Sequence, residues 1–309
     1  MFIIKHYKIF LLISATAVGF SLFSLFYFGL NFGIDFKGGS LLEVRYEEGV
    51  PSFEELRVAL ETNQSEEFNL RASGDKNFLI RSSFLTEEKK ADVLEILSLD
   101  GRFKPIEERF NSVGPVIGEE LKSKAWIAIS VTLVATILFI AFAFRTVSLP
   151  AGRQANLISS WIYSLVAILA LIHDILIPAG LFSFLSFLLG LEVDALFIMA
   201  LLTILGYSIN DTIVIFDRVR ENLKSNQETG KRESFEITVG ESLDQTFVRS
   251  FNTSFTVLLV LLTLFFLGGE SIQNFTLVLI AGTIAGAYSS LFLACPALIL
   301  INNRKAKKT

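Results

Sequence analysis

Six apolar runs, each about the length of a bilayer crossing, decide what this 309-residue chain can fold into. A helix needs about 20 consecutive apolar residues to cross the hydrocarbon layer, and the runs fall at about 9–30, 125–144, 161–186, 195–216, 252–268 and 276–301. Backbone polar groups in hydrocarbon must be paired within the segment, so each run is expected to be a helix. The predicted fold is therefore a polytopic α-helical membrane protein with six transmembrane helices. Charged residues make up 19% of the chain, against roughly a quarter in soluble domains. The first run follows Lys5 and Lys8 as a signal peptide would, but Ile9 to Leu30 is longer than a signal core and lacks a small-residue cleavage pattern, so an uncleaved span is expected.

Lys and Arg positions give the orientation. One set of connections holds Lys5 and Lys8, then Arg145 and Arg153, then Arg218, Arg220, Lys224, Lys231, Arg232 and Arg249, and finally Arg304, Lys305, Lys307 and Lys308. The opposite short loops hold only Glu192, Asp194 and Glu270. Both termini are expected in the cytoplasm and the long segment between the first two spans outside. That segment, Asn31 to Lys124, has about 19 acidic against about 13 basic residues, roughly −6, while the whole chain carries only −4. The predicted division is 1–30 for the N-terminus and first span, 31–124 for the outer domain, 125–301 for a five-helix bundle and 302–309 for a basic tail.

The outer segment reads as a small α+β domain. Strands are expected at Leu41 to Tyr46, Phe68 to Ala72, Phe78 to Ser82 and Arg102 to Phe110, with a Gly74-Asp75 turn between the middle two. Helices are expected at Pro51 to Asn63, with Pro in the first turn, and at Thr86 to Leu99. The order β-α-β-β-α-β is the split pattern of ferredoxin-like domains. Between the fourth and fifth spans, Phe235, Val239, Leu243 and Phe247 recur every four residues. That suits an amphipathic helix at about 231–250, either lying in the membrane surface or packed on the other spans.

Chemistry of the usual enzymatic kinds is missing. The sequence has no phosphate-binding glycine loop, no serine or cysteine paired with a base, a single cysteine (Cys295), and two histidines far apart, so neither an enzyme nor a metal or other cofactor is expected. Nothing in the charge pattern points to nucleic acid, and lipid is the expected surrounding. What needs explaining is charge within the spans. Asp211 lies in the fourth run among Tyr207, Ser208, Asn210 and Thr212, and a carboxylate there costs about 2.5–3.5 kcal/mol on insertion scales. Arg249 begins the fifth span from the same side, so a protonatable acid and a fixed cation could meet at similar depth. A proton relay and a static buried pair are both open from these residues. Asp217 reads as a solvated helix end. His173-Asp174 lies well inside the third run, where interhelical hydrogen bonding and proton transfer are the alternatives, with Pro178 and Gly180 allowing a kink. Gly282 and Gly286, with Ser290 one step on, form a small-residue stripe suited to close helix packing.

Taken together, several motifs resemble those of the SecF branch of the SecD/SecF family. They are Phe32-Gly33-Ile34-Asp35-Phe36-Lys37-Gly38-Gly39-Ser40, Val113-Gly114-Pro115-Val116-Ile117-Gly118, His173-Asp174, and Gly206-Tyr207-Ser208-Ile209-Asn210-Asp211-Thr212 running on to Phe216-Asp217-Arg218-Val219-Arg220-Glu221-Asn222. The resemblance implies half of a transporter of the RND superfamily in the bacterial cytoplasmic (inner) membrane. It implies SecD as the other half, the SecYEG channel and a translocating polypeptide as partners, and protons as the coupling ion. In that family the fourth-span acid and an arginine at the start of the fifth serve proton-coupled movement, which carries over to Asp211 and to Arg249. The segment 148–156 departs from the family pattern. Outside that reading stand a proton-driven exporter of small molecules or lipids and a passive assembly scaffold.

Overall fold

A computed structural model describes residues 2–63, 68–74, 76–144, 160–231 and 233–306. The segment 148–156, the basic residues Arg145, Arg153, Arg232, Lys307 and Lys308, and Asp75 of the expected turn lie outside the described residues. The chain divides into two compact units, Met1–Asn31 with Ala128–Thr309, and Phe32–Ile127. In chain order the helices begin with α1 (Phe2–Lys5), α2 (Tyr7–Tyr27), α3 (Ile34–Lys37), α4 (Phe53–Asn63) and α5 (Glu87–Leu97). They continue with α6 (Pro115–Phe144), α7 (Ser160–Leu189), α8 (Ala195–Glu228), α9 (Phe235–Leu267), α10 (Glu270–Tyr288) and α11 (Cys295–Ala306). A π-helical turn, Ser289–Ala294, joins the last two. The strands are β1 (Gly39–Tyr46), β2 (Asn69–Ser73), β3 (Asn77–Ser82) and β4 (Pro105–Val113).

Unit Phe32–Ile127 has the expected β-α-β-β-α-β order, in one antiparallel sheet ordered β2-β3-β1-β4. Alternation along β1 drives it: Leu42, Val44 and Tyr46 are fully buried and pack with Leu56 and Leu60 of α4 and Val93 and Leu97 of α5. Helix α4 starts at Phe53 rather than Pro51, because Ser52 and Glu55 close a full capping box. The Ser52 amide and hydroxyl donate to Glu55 Oε2 at 2.9 and 2.8 Å, and the Glu55 amide donates to Ser52 Oγ at 3.3 Å. Those Ser52 bonds hold the Glu55 carboxyl below the usual carboxylate range. Strand β4 starts later than expected, since Leu99, Asp100 and Gly101 all take positive φ (50, 59 and 77°) and reverse the chain first.

The two-glycine approach to β1 has a steric cause. Gly38 has φ +75°, and a Cβ there would lie 2.7 Å from Pro115 Cα at the start of α6. A Cβ on Gly118 would come to 2.8 Å from the Gly38 nitrogen, so glycine is required on both sides of this crossing. Ser40, fully buried, shares a 2.6 Å hydrogen bond with Ser112 Oγ on β4 and accepts one from the Leu85 amide at 2.8 Å, which fastens β1 to the strand that leads into α6.

In the other unit the six spans are supplied by α2, α6, α7, α8, α9 and the run Ile272–Asn303. The helices form two groups. The third and sixth spans have 56% and 67% of their apolar windows buried, while α6 has only 6% and its Val131 and Leu138 are exposed. So α7, α8 and the sixth span form the centre, and α2, α6 and α9 keep broad apolar faces outward. On α2 the pattern of soluble helices is inverted: its buried side chains are Ser14, Ser21 and Ser24, while Phe23 and Phe26 point out. In hydrocarbon apolar groups gain nothing by turning inward, and small residues allow close approach. Gly180 of α7 sits against the Ser21 backbone, and the Ser183 hydroxyl lies 3.0 Å from the Ser24 carbonyl and 2.5 Å from that of Gly29.

Of the two readings of the amphipathic segment at about 231–250, the structure shows the packed one: it is the first half of α9, which runs unbroken from a Ser234 cap into the fifth span rather than lying apart in the membrane surface. Its periodic face packs inward: Val239 and Leu243 are buried with Phe216 and Val219 of α8, and Phe235 and Phe247 pack at the edge of the same cluster. Polar side chains seal the α8–α9 hairpin, with Asn222 donating to Ser242 Oγ at 2.8 Å and Asn226 to Thr238 Oγ1 at 3.1 Å.

Two outcomes follow. Gly38→Ala should destabilise unit Phe32–Ile127 by about 1–3 kcal/mol, read as faster hydrogen exchange of the β1 and β4 amides in the intact chain. Val239→Asn should loosen the α8–α9 hairpin by about 1–3 kcal/mol, seen as faster proteolysis between them. Ile237→Asn, on the exposed side, should change the cleavage rate little.

Candidate functional site

The spans bring together a layer of hydroxyl, carboxyl and imidazole groups near their middles. Asp174, near the centre of α7, is fully buried, as is His173 to within 3%. Ser208 enters from α8, about 20 Å along that helix at 1.5 Å per residue. Ser289 and Ser290, both fully buried, enter from the π turn.

Asp174 is the hub of this layer. Its Oδ2 accepts from the Ser208 hydroxyl in a short hydrogen bond and from the Ser289 hydroxyl at 2.6 Å, and its Oδ1 lies 2.8 Å from His173 Nδ1. One carboxyl therefore binds three elements: α7, α8 and the sixth span. His173 in turn stacks on Tyr288, whose hydroxyl donates to the Phe10 carbonyl of α2 at 2.8 Å. The other imidazole nitrogen, Nε2, is buried and has no hydrogen-bond partner among the described residues. Asp211, one turn beyond Ser208, is half-buried and accepts from the Ser290 hydroxyl at 3.0 Å.

The helices are shaped to form this layer. Pro178 lacks an amide hydrogen, so the carbonyl of Asp174, four residues before it, loses its usual helical donor. Pro296 acts likewise on the sixth span, and the π turn just before it absorbs the mismatch. The glycine stripe sets the spacing: a side chain on Gly282 would run into Ile204, and a Cβ on Gly286 would sit 3.3 Å from Ser208 Cβ.

The remaining expected residues take varied places. Tyr207 donates from α8 to Ser254 Oγ of α9 at 3.0 Å, and Thr212 is buried with its hydroxyl 3.4 Å from the Ser208 carbonyl. Asn210 is exposed. Asp217 is exposed and pairs with Arg220 at 3.3 Å, as a solvated helix end would. Asp211 and Arg249 are not brought together: among the described residues no ion pair joins them, and Arg249 is exposed. Helix phase explains this, because Ser250 and Ser254 are the buried positions of α9 and Arg249 stands about 100° around the helix from Ser250. Sequence reasoning passed over Ser289, Tyr288 and Ser254. The signal for the first was Pro296, which marks where the sixth span departs from regular helix. A groove of about 280 Å³ between α9 and α10, lined by Ser250, Ser254, Thr283 and Tyr288 among apolar side chains, reaches two of these residues.

Comparison with known proteins agrees with this architecture. The profile for the protein export membrane proteins SecD/SecF, C-terminal part, matches residues 98–304, and that for the SecD/SecF GG motif matches residues 23–50. Protein translocase subunit SecF of Thermobaculum terrenum is 40% identical over 293 residues, covering 91% of this chain and 87% of the relative. The SecF subunit of Sebaldella termitidis is 36% identical over 309 residues, covering 98% and 92%. In the crystal structure of SecDF, a translocon-associated membrane protein from Thermus thermophilus, the match has a TM-score of 0.77 at 32% identity and covers 97% of this chain. This chain spans 38% of that SecDF chain. A second SecDF structure, in a super-membrane-facing form, gives a TM-score of 0.63. A profile over more than half the chain and near full-length relatives above 30% identity lead to one conclusion: the chain belongs to the SecD/SecF family, among its SecF translocase subunits.

Proposed function

We propose that the chain works with a SecD partner to couple proton movement across the bacterial inner membrane to late steps of polypeptide export through the SecYEG channel. The observation that carries this reading is the layer around Asp174 and Asp211. It sets two carboxyls in the middle of the spans, each given hydroxyl donors from a neighbouring helix. Carboxyls in hydrocarbon are costly, and mark ion or proton paths.

In this reading both termini are cytoplasmic and unit Phe32–Ile127 faces outward, as the Lys and Arg positions require. Protonation of Asp211 from outside and its release inward switch the bundle between two packings, and the outer domain passes the motion to the emerging chain. Arg249 supports a two-chain version. It is exposed on α9 on the same side as the exposed Asn252, Thr253 and Thr256, a polar face suited to a second half rather than to Asp211 of the same half. The length of SecDF, of which this chain spans 38%, also supports a separate SecD half. The remaining lipid-facing surface belongs to helices such as α6.

The energetics set a requirement. One charge crossing the membrane yields about 2.3 kcal/mol per 100 mV, whereas moving a two-state equilibrium from 1:99 to 99:1 takes about 5.5 kcal/mol. More than one proton per full swing, or a pH gradient in addition, is needed. Asp211→Asn should abolish stimulation of export in cells lacking the native subunit, while membrane insertion and co-purification with SecD persist. Full stimulation by that variant would remove Asp211 from the relay. Stimulation that tracks only the amount of SecD retained would favour the scaffold reading.

A further inference from the structure

The geometry points to Asp174 as a second proton-carrying carboxyl, coupled to Asp211 through the paired hydroxyls of Ser289 and Ser290. This rests on the proton-coupled reading above and adds a residue and a device to it.

The coupling is visible in where the two serines can send their protons. Ser289 Oγ lies 2.6 Å from Asp174 Oδ2 and 3.2 Å from the Gly286 carbonyl oxygen. Ser290 Oγ lies 3.0 Å from Asp211 Oδ2, 2.7 Å from the same Gly286 oxygen and 3.4 Å from that of Ala287. Each hydroxyl has one proton, and each has a carboxylate on one side and the shared Gly286 carbonyl on the other. An ionised carboxylate is acceptor-only and draws the hydroxyl proton toward itself, whereas a protonated carboxyl becomes a donor. When a proton binds Asp174 Oδ2, the Ser289 O–H turns to Gly286 and its oxygen accepts from the new carboxyl O–H. On release the rotation reverses. Ser290 does the same for Asp211. Because both rotations end on one carbonyl, the state of one carboxyl alters what the other serine finds at Gly286.

Other features suit Asp174 to carrying a proton. It is fully buried, so its charge is not offset by water. The titratable groups of the layer are His173 on its own helix, Asp211 on α8, reached through Ser290, and Tyr288, which stacks on His173, while Tyr207 of α8 turns to Ser254 of α9. Helix α2 contributes the Phe10 carbonyl, and α11 begins with the buried Cys295. His173 Nδ1 touches Asp174 while its buried Nε2 has no partner among the described residues, which gives the pair a second nitrogen through which a proton can pass. The π turn that carries both serines has already left regular helix, so its hydroxyls can reach two acceptors from adjacent positions.

The test is infrared difference spectroscopy, high minus low pH, on the full chain with its SecD partner in proteoliposomes, following the carboxylic C=O bands. The wild type should show two such bands from the spans. Asp174→Asn should lose one. Asp211→Asn should lose the other and move the midpoint of the remaining one by about one pH unit, the mark of coupled sites. With Ser289→Ala and Ser290→Ala combined, both bands should persist and that movement should vanish. An Asp174→Asn spectrum identical to wild type overturns the inference and leaves Asp211 standing. Loss of the Asp174 band with no contribution from Asp211 overturns the earlier reading at Asp211 and, with it, the coupling. If Asp174→Asn fails to co-purify with SecD, Asp174→Glu carries the test: two bands with one displaced support the inference, and an undisplaced pair contradicts it.

Discussion

A carboxyl in the middle of a membrane has to be supplied with hydrogen-bond donors by the protein, and Asp174 meets that demand by holding three elements at once. Ser208 of α8 and Ser289 of the sixth span both donate to one oxygen, and His173 occupies the other. Much of the bundle's architecture serves this contact. Gly286 lets the sixth span approach α8 closely enough for Ser208 and Ser289 to share an acceptor. The prolines on α7 and after the π turn loosen the backbone where the side chains must converge. Without the hub, α8 and the sixth span would keep the Ser290–Asp211 bond, but α7 would be held to them mainly by dispersion and small-residue packing, which discriminate poorly between nearby arrangements.

The same constraint divides the spans into inner and outer helices. Those that carry the polar layer are central, α2 and α9 flank it, and α6 stands at the edge of the bundle, all three with apolar faces outward. On α2 the serines face inward and the phenylalanines outward, the arrangement expected where lipid replaces water as solvent. Unit Phe32–Ile127 follows the pattern of a water-soluble domain instead. There the ordinary rules return, with Leu42, Val44 and Tyr46 inside and a capping box at the start of α4. The burial of Tyr46 pushes its hydroxyl pKa up, and the hydroxyl donates to the Leu97 carbonyl at 2.9 Å, at the end of α5.

Features that depend on period and length were legible in the sequence. The six spans, the order of helices and strands in unit Phe32–Ile127 and the place of Asp211 and His173-Asp174 in their helices could all be read from runs and alternation. Features that depend on helix phase could not. The spacing of Phe235, Val239, Leu243 and Phe247 marks an apolar face without saying whether lipid or protein covers it, and protein does. Asp211 and Arg249 were placed at similar depth, but depth says nothing about direction around a helix, and the two side chains diverge. Ser289 escaped notice because a serine within an apolar run carries no pattern of its own. Only the neighbouring Pro296, four residues past Phe292, hinted that the helix there changes pitch.

The central claim is that the buried carboxyls move protons in step with export. Proton flux into proteoliposomes holding the chain, SecD and SecYEG, under an imposed potential and pH gradient, tests it most directly. Flux should rise when an export substrate is engaged and should fall to the lipid background when Asp211 is replaced by Asn. Substrate-dependent export with no accompanying flux, or a flux unchanged by that replacement, would contradict the account.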